Sequence, residues 1–349
     1  MPKNRFAVLP LMLLCLFVTS CGAVPAVPTL LPGTPTSLPP TQTLSSTAMV
    51  ASTPLVQAAV PLRATPIRPT RTPEIGLGKL GQIDRDVTYC TTDGIALKMD
   101  VYHPLKMTNQ PAPVLVNVHG GAWMFGDKLQ SETLVDIPEL LNRGYLVAAV
   151  DYRLAPAYKF PAQIEDVKCA VRYLRANATT YHLDANRIGA WGCSAGGHLV
   201  AMLGLTDSQP EFDGSGAYRN ESSRVQAVVA MSAPADLTMK IYASTRAQEF
   251  AHVFGALSTS DSILKRSSPI DYVSKNAPPF LIIGGERDTI VPPQQSELLY
   301  ERLKQAGDSA SLLLVKNAHH CLPETQPPME PSRAEVSQQI ADFFDRELR

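Results

Sequence analysis

An α/β domain is predicted for residues 80–349, with a mostly parallel central sheet, helices on both faces and a small cap or loop insertion. Three observations predict it. Short apolar runs alternate with segments of helical periodicity, the order expected when parallel strands are joined by helical crossovers. Several runs are continuous, such as Pro113–Val118 (PVLVNV), the pattern of a strand buried on both faces. A turn of small residues, Gly192–Gly196, joins one such strand directly to a helical segment.

The elements follow in order. Asp86–Cys90 and Ile95–Tyr102 read as a hairpin turning at Asp93-Gly94. Pro113–Val118 is a buried strand, Leu129–Arg143 a helix by its periodicity, and Tyr145–Val150 a strand. Phe160–Ala178 reads as a helix with Pro161 near its start, where a missing N–H does no harm. Arg187–Trp191 is a strand and Ala195–Leu205 a helix. Val225–Met231, Pro279–Ile283 and Ser311–Val315 are further strands, with helices at Gln294–Ala306 and Ala334–Leu348. Thr206–Arg224 and Ala235–Ser268 fit neither period and are candidates for loops or a cap.

The 349-residue chain divides into residues 1–20, 21–79 and 80–349. Lys3 and Arg5 precede an apolar run from Phe6 to Val18, too short for the roughly 20 residues of a membrane span and suited to a secretory signal. Val18-Thr19-Ser20-Cys21 resembles the lipobox of bacterial lipoproteins, which implies acylation of Cys21; ordinary signal cleavage would leave it a plain thiol. Of the 54 residues Gly22–Ile75, 25 are Pro, Thr or Ser and none is aromatic, so the stretch reads as a tether, not a core. Gly76, Gly78 and Gly81 spell GxGxxG, but no strand precedes them, so a nucleotide loop is excluded. A formal net charge of −1 without a long basic run argues against nucleic acid as partner. The expected partners are a membrane, through the N-terminal lipid, and an ester, small or linked to a polysaccharide. Nothing indicates the oligomeric state.

The chemistry centres on Gly192-Cys193-Ser194-Ala195-Gly196, a G-x-S-x-G pattern between a strand and a helix. Small neighbours permit the sharp turn that exposes Ser194 Oγ, and the following helix points its positive end at the site. A serine needs a base and an orienting carboxylate, in the chain order Ser, acid, His. Asp288 follows the strand Pro279–Ile283 and occupies the acid's place, with Glu286 as the local competitor. After the last strand, His319 and His320 compete as the base. No HExxH or CxxC is present and the His pair lacks a third ligand at suitable spacing, so neither a metal nor an organic cofactor is implied.

HGGAW (His119–Trp123), DYRLAP (Asp151–Pro156), FPAQIEDV (Phe160–Val167) and GCSAGGHL (Gly192–Leu199) resemble α/β-hydrolases. The nearest resemblance is to bacterial carboxylesterases related to hormone-sensitive lipase and to feruloyl-esterase-like enzymes of the BD-FAE type. It spans nearly all of residues 86–348. It implies an oxyanion hole from the amides of Gly121, Ala122 and Ala195, with His119 a structural residue beneath the loop and Trp123 packing or pocket wall. The family pattern V-x-x-A-G-H-G, laid on Val315–Cys321, puts His320 on the base. Cys193, His319 and Cys321 depart from it, and together they resemble the CS-D-HC arrangement of tannases and some feruloyl esterases. That resemblance implies a Cys193–Cys321 disulfide, feasible if Ser194 and His320 stand close. Nothing in the sequence places Cys90 beside Cys169.

The reading is an exported, lipid-anchored serine carboxylesterase acting on short-chain or aromatic esters through Ser194, His320 and Asp288. An amidase or peptidase on the same fold, or a non-catalytic surface binding protein, are the alternatives.

Overall fold

The computed structural model describes residues 80–349 apart from residue 134. The expected signal segment, Cys21 and the Pro/Thr/Ser-rich tether lie outside the described residues.

β1 (Ile83–Thr92) and β2 (Ile95–Tyr102) form the predicted antiparallel hairpin, longer than the sequence pattern alone marks. β3 (Ala112–Val118), β4 (Leu146–Val150), β5 (Leu183–Cys193), β6 (Ala227–Met231), β7 (Phe280–Gly285) and β8 (Ala310–Val315) complete an eight-stranded sheet in the order β1-β2-β4-β3-β5-β6-β7-β8. Strands β3 to β8 run parallel, and β2 joins β4 antiparallel.

The continuous apolar runs serve both faces at once. Val114, Val116 and Val118 enter one core cluster and Leu115 the other; Phe280 and Ile282 divide from Leu281 and Ile283 in the same way. Period-two side chains with both faces covered favour apolar residues along these strands, with Asn117 of β3 the buried polar exception. Helices α2 (Ala162–Ala176), α4 (Ala195–Leu205) and α8 (Pro293–Ala306) pack on the first face, while α1 (Ile137–Asn142) and α9 (Arg333–Leu348) pack on the second. A one-turn helix, α3 (Ala178–Tyr181), leads into β5. α9 starts at a capping box, Ser332 with Glu335.

One helix differs from expectation. Leu129–Arg143 is not continuous: a 3-10 turn occupies Lys128–Thr133 and α1 begins only at Ile137. Asp136 caps it, accepting from the amide of Glu139, and Pro138 sits in its first turn, so a helix start lies inside the periodic stretch. The segment Ala235–Ser268 holds three short helices among the described residues, α5 (Lys240–Thr245), α6 (Ala247–Val253) and α7 (Ser262–Arg266), which form the cap.

Two disulfides staple the domain. Cys90 on β1 bonds Cys169 on α2, with Cα atoms 6.5 Å apart. Cys193 at the end of β5 bonds Cys321, with Cα atoms 5.9 Å apart. The first pairing had no sequence signal; the second is the one the CS-D-HC resemblance implies. No helix among the described residues is long and apolar enough to cross a membrane.

Candidate active site

The strand order decides where a site can form. β3 continues to β4 on one side, whereas its other neighbour β5 continues to β6 in the opposite direction. A crevice opens at the carboxyl ends of strands where winding reverses. Val118 is registered with Gly192 at that point, so the chain leaves β3 into His119-Gly120-Gly121 beside the turn leaving β5 at Ser194.

Ser194 sits between Cys193 and the first turn of α4 with φ 59° and ψ −122°, a backbone conformation costly for a residue bearing a Cβ. The turn exists only because its neighbours lack side chains. A Cβ on Gly196 would lie 2.0 Å from the Val118 carbonyl oxygen. The Ser194 amide donates to Met231 O (2.9 Å), which ties the turn to the end of β6.

The loop after β3 is equally constrained. Gly121 has φ +107° and a Cβ there would overlap Phe125 O at 2.1 Å; Ala122 and Trp123 follow with φ 51° and 57°. The Gly121 carbonyl accepts from the amides of Met124 and Phe125. The amides of Gly121, Ala122 and Ala195 donate to no group among the described residues. As the first helical residue, Ala195 has no carbonyl one turn earlier to receive its N–H.

His119 and Trp123 hold this loop from beneath. His119 stacks on Tyr152 at 4.2 Å, and its Nδ1–H donates to Gly120 O (2.7 Å). Burial lowers its pKa to about 4, against the bond to Gly120, so the ring is neutral and its proton is committed. Tyr152 Oη donates to His119 O (3.1 Å). Trp123 Nε1 donates to His198 Nδ1 (3.2 Å), which makes Nε2 of His198 the protonated nitrogen, donating to Ser267 O (2.7 Å). Trp123 also meets Phe254 edge-on, joining the loop to the cap.

Asp288 lies on the loop after β7, buried, and His320 on the loop after β8. His320 Nδ1 lies 2.8 Å from Asp288 Oδ2, while Asp288 Oδ1 accepts from the amides of Ile290 (2.9 Å) and Val291 (2.8 Å). Burial opposes ionisation of Asp288, but the His320 bond and charge and the two amides outweigh it and hold the carboxyl below its ordinary value. His319 is exposed and its Nδ1 lies 3.1 Å from Arg287 O, so it faces a carbonyl and not a carboxylate. The two loops are zipped by Glu286 N to Val315 O and Arg287 N to Ala318 O. The Cys193–Cys321 bond joins the residue before Ser194 to the residue after His320.

Two sets of residues had no sequence signal. Ser232, at the end of β6 with φ 42°, donates its amide to Ile283 O and accepts from Cys321 N at Oγ (3.2 Å). From the cap comes Arg246, between α5 and α6, whose guanidinium donates to Glu249 Oε2 (3.3 Å) and to the Ile290 carbonyl of the Asp288 loop (3.0 Å). Among the described residues no group of three or more His, Cys, Asp or Glu is arranged to hold a metal ion.

Comparison with known proteins agrees with this geometry. The BD-FAE family model matches residues 99–303. Esterase LipC of Mycobacterium tuberculosis is 36% identical over 221 residues, 62% of this chain and 54% of LipC. Esterase LipQ of the same organism is 33% identical over 214 residues, covering 60% and 50% of the two chains. The chain thus spans about half the length of these curated relatives. A truncated carbohydrate esterase from gut microbiota superposes with a TM-score of 0.68 at 28% identity, over 77% of this chain and 97% of that one. Propionate-bound esterase Est2 of Thermogutta terrifontis shares the fold, with a TM-score of 0.60 at 23% identity over 76% and 92%.

Proposed function

The chain belongs to the BD-FAE family, with the α/β-hydrolase fold, and from that membership we propose that it is an exported, lipid-anchored serine carboxylesterase cleaving short-chain or aromatic esters. One observation carries the catalytic reading. The Asp288–His320 pair at 2.8 Å is fastened by a disulfide to the strained turn that presents Ser194.

In this mechanism Asp288 fixes His320 with Nδ1 protonated, so Nε2 is the acceptor. Nε2 takes the proton of Ser194 as Oγ attacks the ester carbonyl, and the imidazolium is stabilised by the buried carboxylate. The oxyanion rests on the amides of Gly121, Ala122 and Ala195, one of which is worth about 3–4 kcal/mol in such sites. His320 then protonates the leaving alcohol, and water, deprotonated by the same nitrogen, releases the acid.

Relatives named as esterases and a neighbour named as a carbohydrate esterase support an ester substrate. Two disulfides support an oxidising compartment and hence export. The lipobox-like Val18–Cys21 and the tether support a membrane anchor that leaves the domain reach.

The test uses the full-length protein and a panel of p-nitrophenyl acetate, butyrate and octanoate, methyl ferulate and acetylated xylan, with Ser194→Ala as the blank. Turnover that vanishes in the variant is expected, with acyl preference read from the panel. Turnover that persists in Ser194→Ala, or none above it on any ester, refutes the reading. Radiolabelled palmitate recovered on the wild type but not on Cys21→Ser tests the anchor.

A further inference from the structure

β6 carries none of Ser194, Asp288 and His320, yet the residues at its carboxyl end are bonded to the elements that carry all three. Met231 O accepts from the Ser194 amide (2.9 Å). The Ser232 amide donates to Ile283 O (2.7 Å) on β7, the strand that leads to Asp288. Ser232 Oγ accepts from the amide of Cys321 (3.2 Å), the residue after His320. Ser232 is buried and holds φ 42°, in the left-handed region that a residue with a side chain enters only at a cost.

The histidine loop offers a matching donor. Leu322 N donates to His319 O (3.1 Å), so His320 and Cys321 are the two central residues of a tight turn. Such a turn uses the amide of its fourth residue and leaves that of its third, here Cys321, to bond elsewhere. Ser232 Oγ takes it. Together with the Cys193–Cys321 disulfide and the Ser194 N–Met231 O bond, this closes a ring through Cys193-Ser194, Met231-Ser232 and Cys321. The sheet sets its base, because β5 and β6 register Cys193 with Met231.

The ring does what the disulfide alone does not. A disulfide limits how far Cys321 stands from the nucleophile turn, but its single bonds still allow rotation, which would swing His320 across Ser194. A second attachment at the Cys321 amide removes that rotation. Misplacing a reacting group by about 1 Å can cost a hundredfold in rate.

We propose that Ser232 is a positioning residue for ester hydrolysis: by accepting from Cys321 N, its hydroxyl holds the turn that carries His320 in the orientation at which Nε2 reaches Ser194. The proposal rests on the esterase reading and deepens it.

The test uses the full chain. Ser232→Ala and Ser232→Gly both remove the hydroxyl, but glycine also relieves the left-handed φ. On p-nitrophenyl acetate, kcat is expected to fall by about tenfold in both, with KM within about twofold of wild type, because the base serves the chemical steps and does not bind the substrate. Circular dichroism melts confirm folding. A merely structural role would lower the melting midpoint and leave the kcat of the folded enzyme unchanged. Wild-type kcat in either folded variant overturns the proposal, as does a loss carried by KM alone. Amide-resolved hydrogen exchange of the wild type, made with isotope-labelled cysteine, needs no variant. Slow exchange at the Cys321 amide is expected, and exchange at the rate of an open loop overturns the proposal even if neither variant folds. An active wild type matched by its variants would leave the esterase standing and remove only the role of Ser232. A wild type inactive on every ester would remove both.

Discussion

Replacing Asp288 by Asn isolates what the buried carboxylate does for His320. Asn keeps an oxygen for the amides of Ile290 and Val291, so the loop retains its shape. Its amide then faces His320 Nδ1, which must become an acceptor. The proton moves to Nε2, the wrong tautomer for receiving one from Ser194 in the proposed mechanism. The charge is also lost. Asp288 and His320 meet at 2.8 Å, with side chains 1% and 18% exposed, so bulk water screens the pair weakly. At an effective dielectric constant of about 20, one charge pair at that separation is worth about 6 kcal/mol, an upper bound on the stabilisation of the imidazolium. At about 1.4 kcal/mol per decade this corresponds to a fall in kcat of roughly 10⁴-fold, with KM little changed. The assay is steady-state hydrolysis of p-nitrophenyl acetate, with Ser194→Ala as the floor and circular dichroism melts to confirm folding. Glu286→Gln is the control and should stay within about threefold of wild type, as expected of a surface change. A folded Asp288→Asn enzyme with kcat within tenfold of wild type would refute the assignment of the acid.

Three other outcomes follow from the same geometry. Gly121→Ala forces a Cβ onto Phe125 O at a φ of +107°, so kcat on p-nitrophenyl acetate should fall by about 10²-fold or more as an oxyanion donor is displaced. The pair Cys90→Ala and Cys169→Ala removes a link across 79 residues, so urea unfolding should show a loss of roughly 4 kcal/mol while kcat holds, because the bond lies outside the site. His119 and His198 are held by burial at about 4 against an ordinary value of 6.5, so the unfolded chain binds their protons first. Stability is therefore full above pH 6.5 and lost as pH falls towards 4, by about 2 kcal/mol for each ring at pH 5. Asp166, raised by burial to about 6 against its bonds from Arg153, takes up a proton in the folded state over the same window and offsets roughly 1 kcal/mol of that. Urea melts at pH 7 and pH 5 should show the net loss, and His198→Gln should remove its own share of the difference.

Legibility in the sequence followed the reach of each physical signal. Strands β4, β6 and β7 were readable because burial on both faces demands unbroken apolar runs, and α4 was readable to the residue because Gly192 before it and Gly196 in its first turn permit only one kind of turn. The split of Leu129–Arg143 was obscured because apolar periodicity continues across a break, although Asp136 and Pro138 carried the capping signal. Cys90 and Cys169 gave nothing, since a strand and a helix meet only after β1 has joined the sheet.

The same distinction runs through the site. Ser194, Asp288 and His320 leave the carboxyl ends of β5, β7 and β8, so strand order and chain order together nearly locate them. Between His319 and His320 the residues alone could not choose; the structure separates them by partner, a backbone carbonyl for one and a buried carboxylate for the other. Arg246 and Glu249 belong to no strand end. They stand at and within a seven-residue helix whose place depends on Phe250 and Phe254 packing towards Trp123, a tertiary contact with no period to read. The machinery set by strand topology was therefore legible, while the groups that the cap brings to the Asp288 loop are set by how the cap docks.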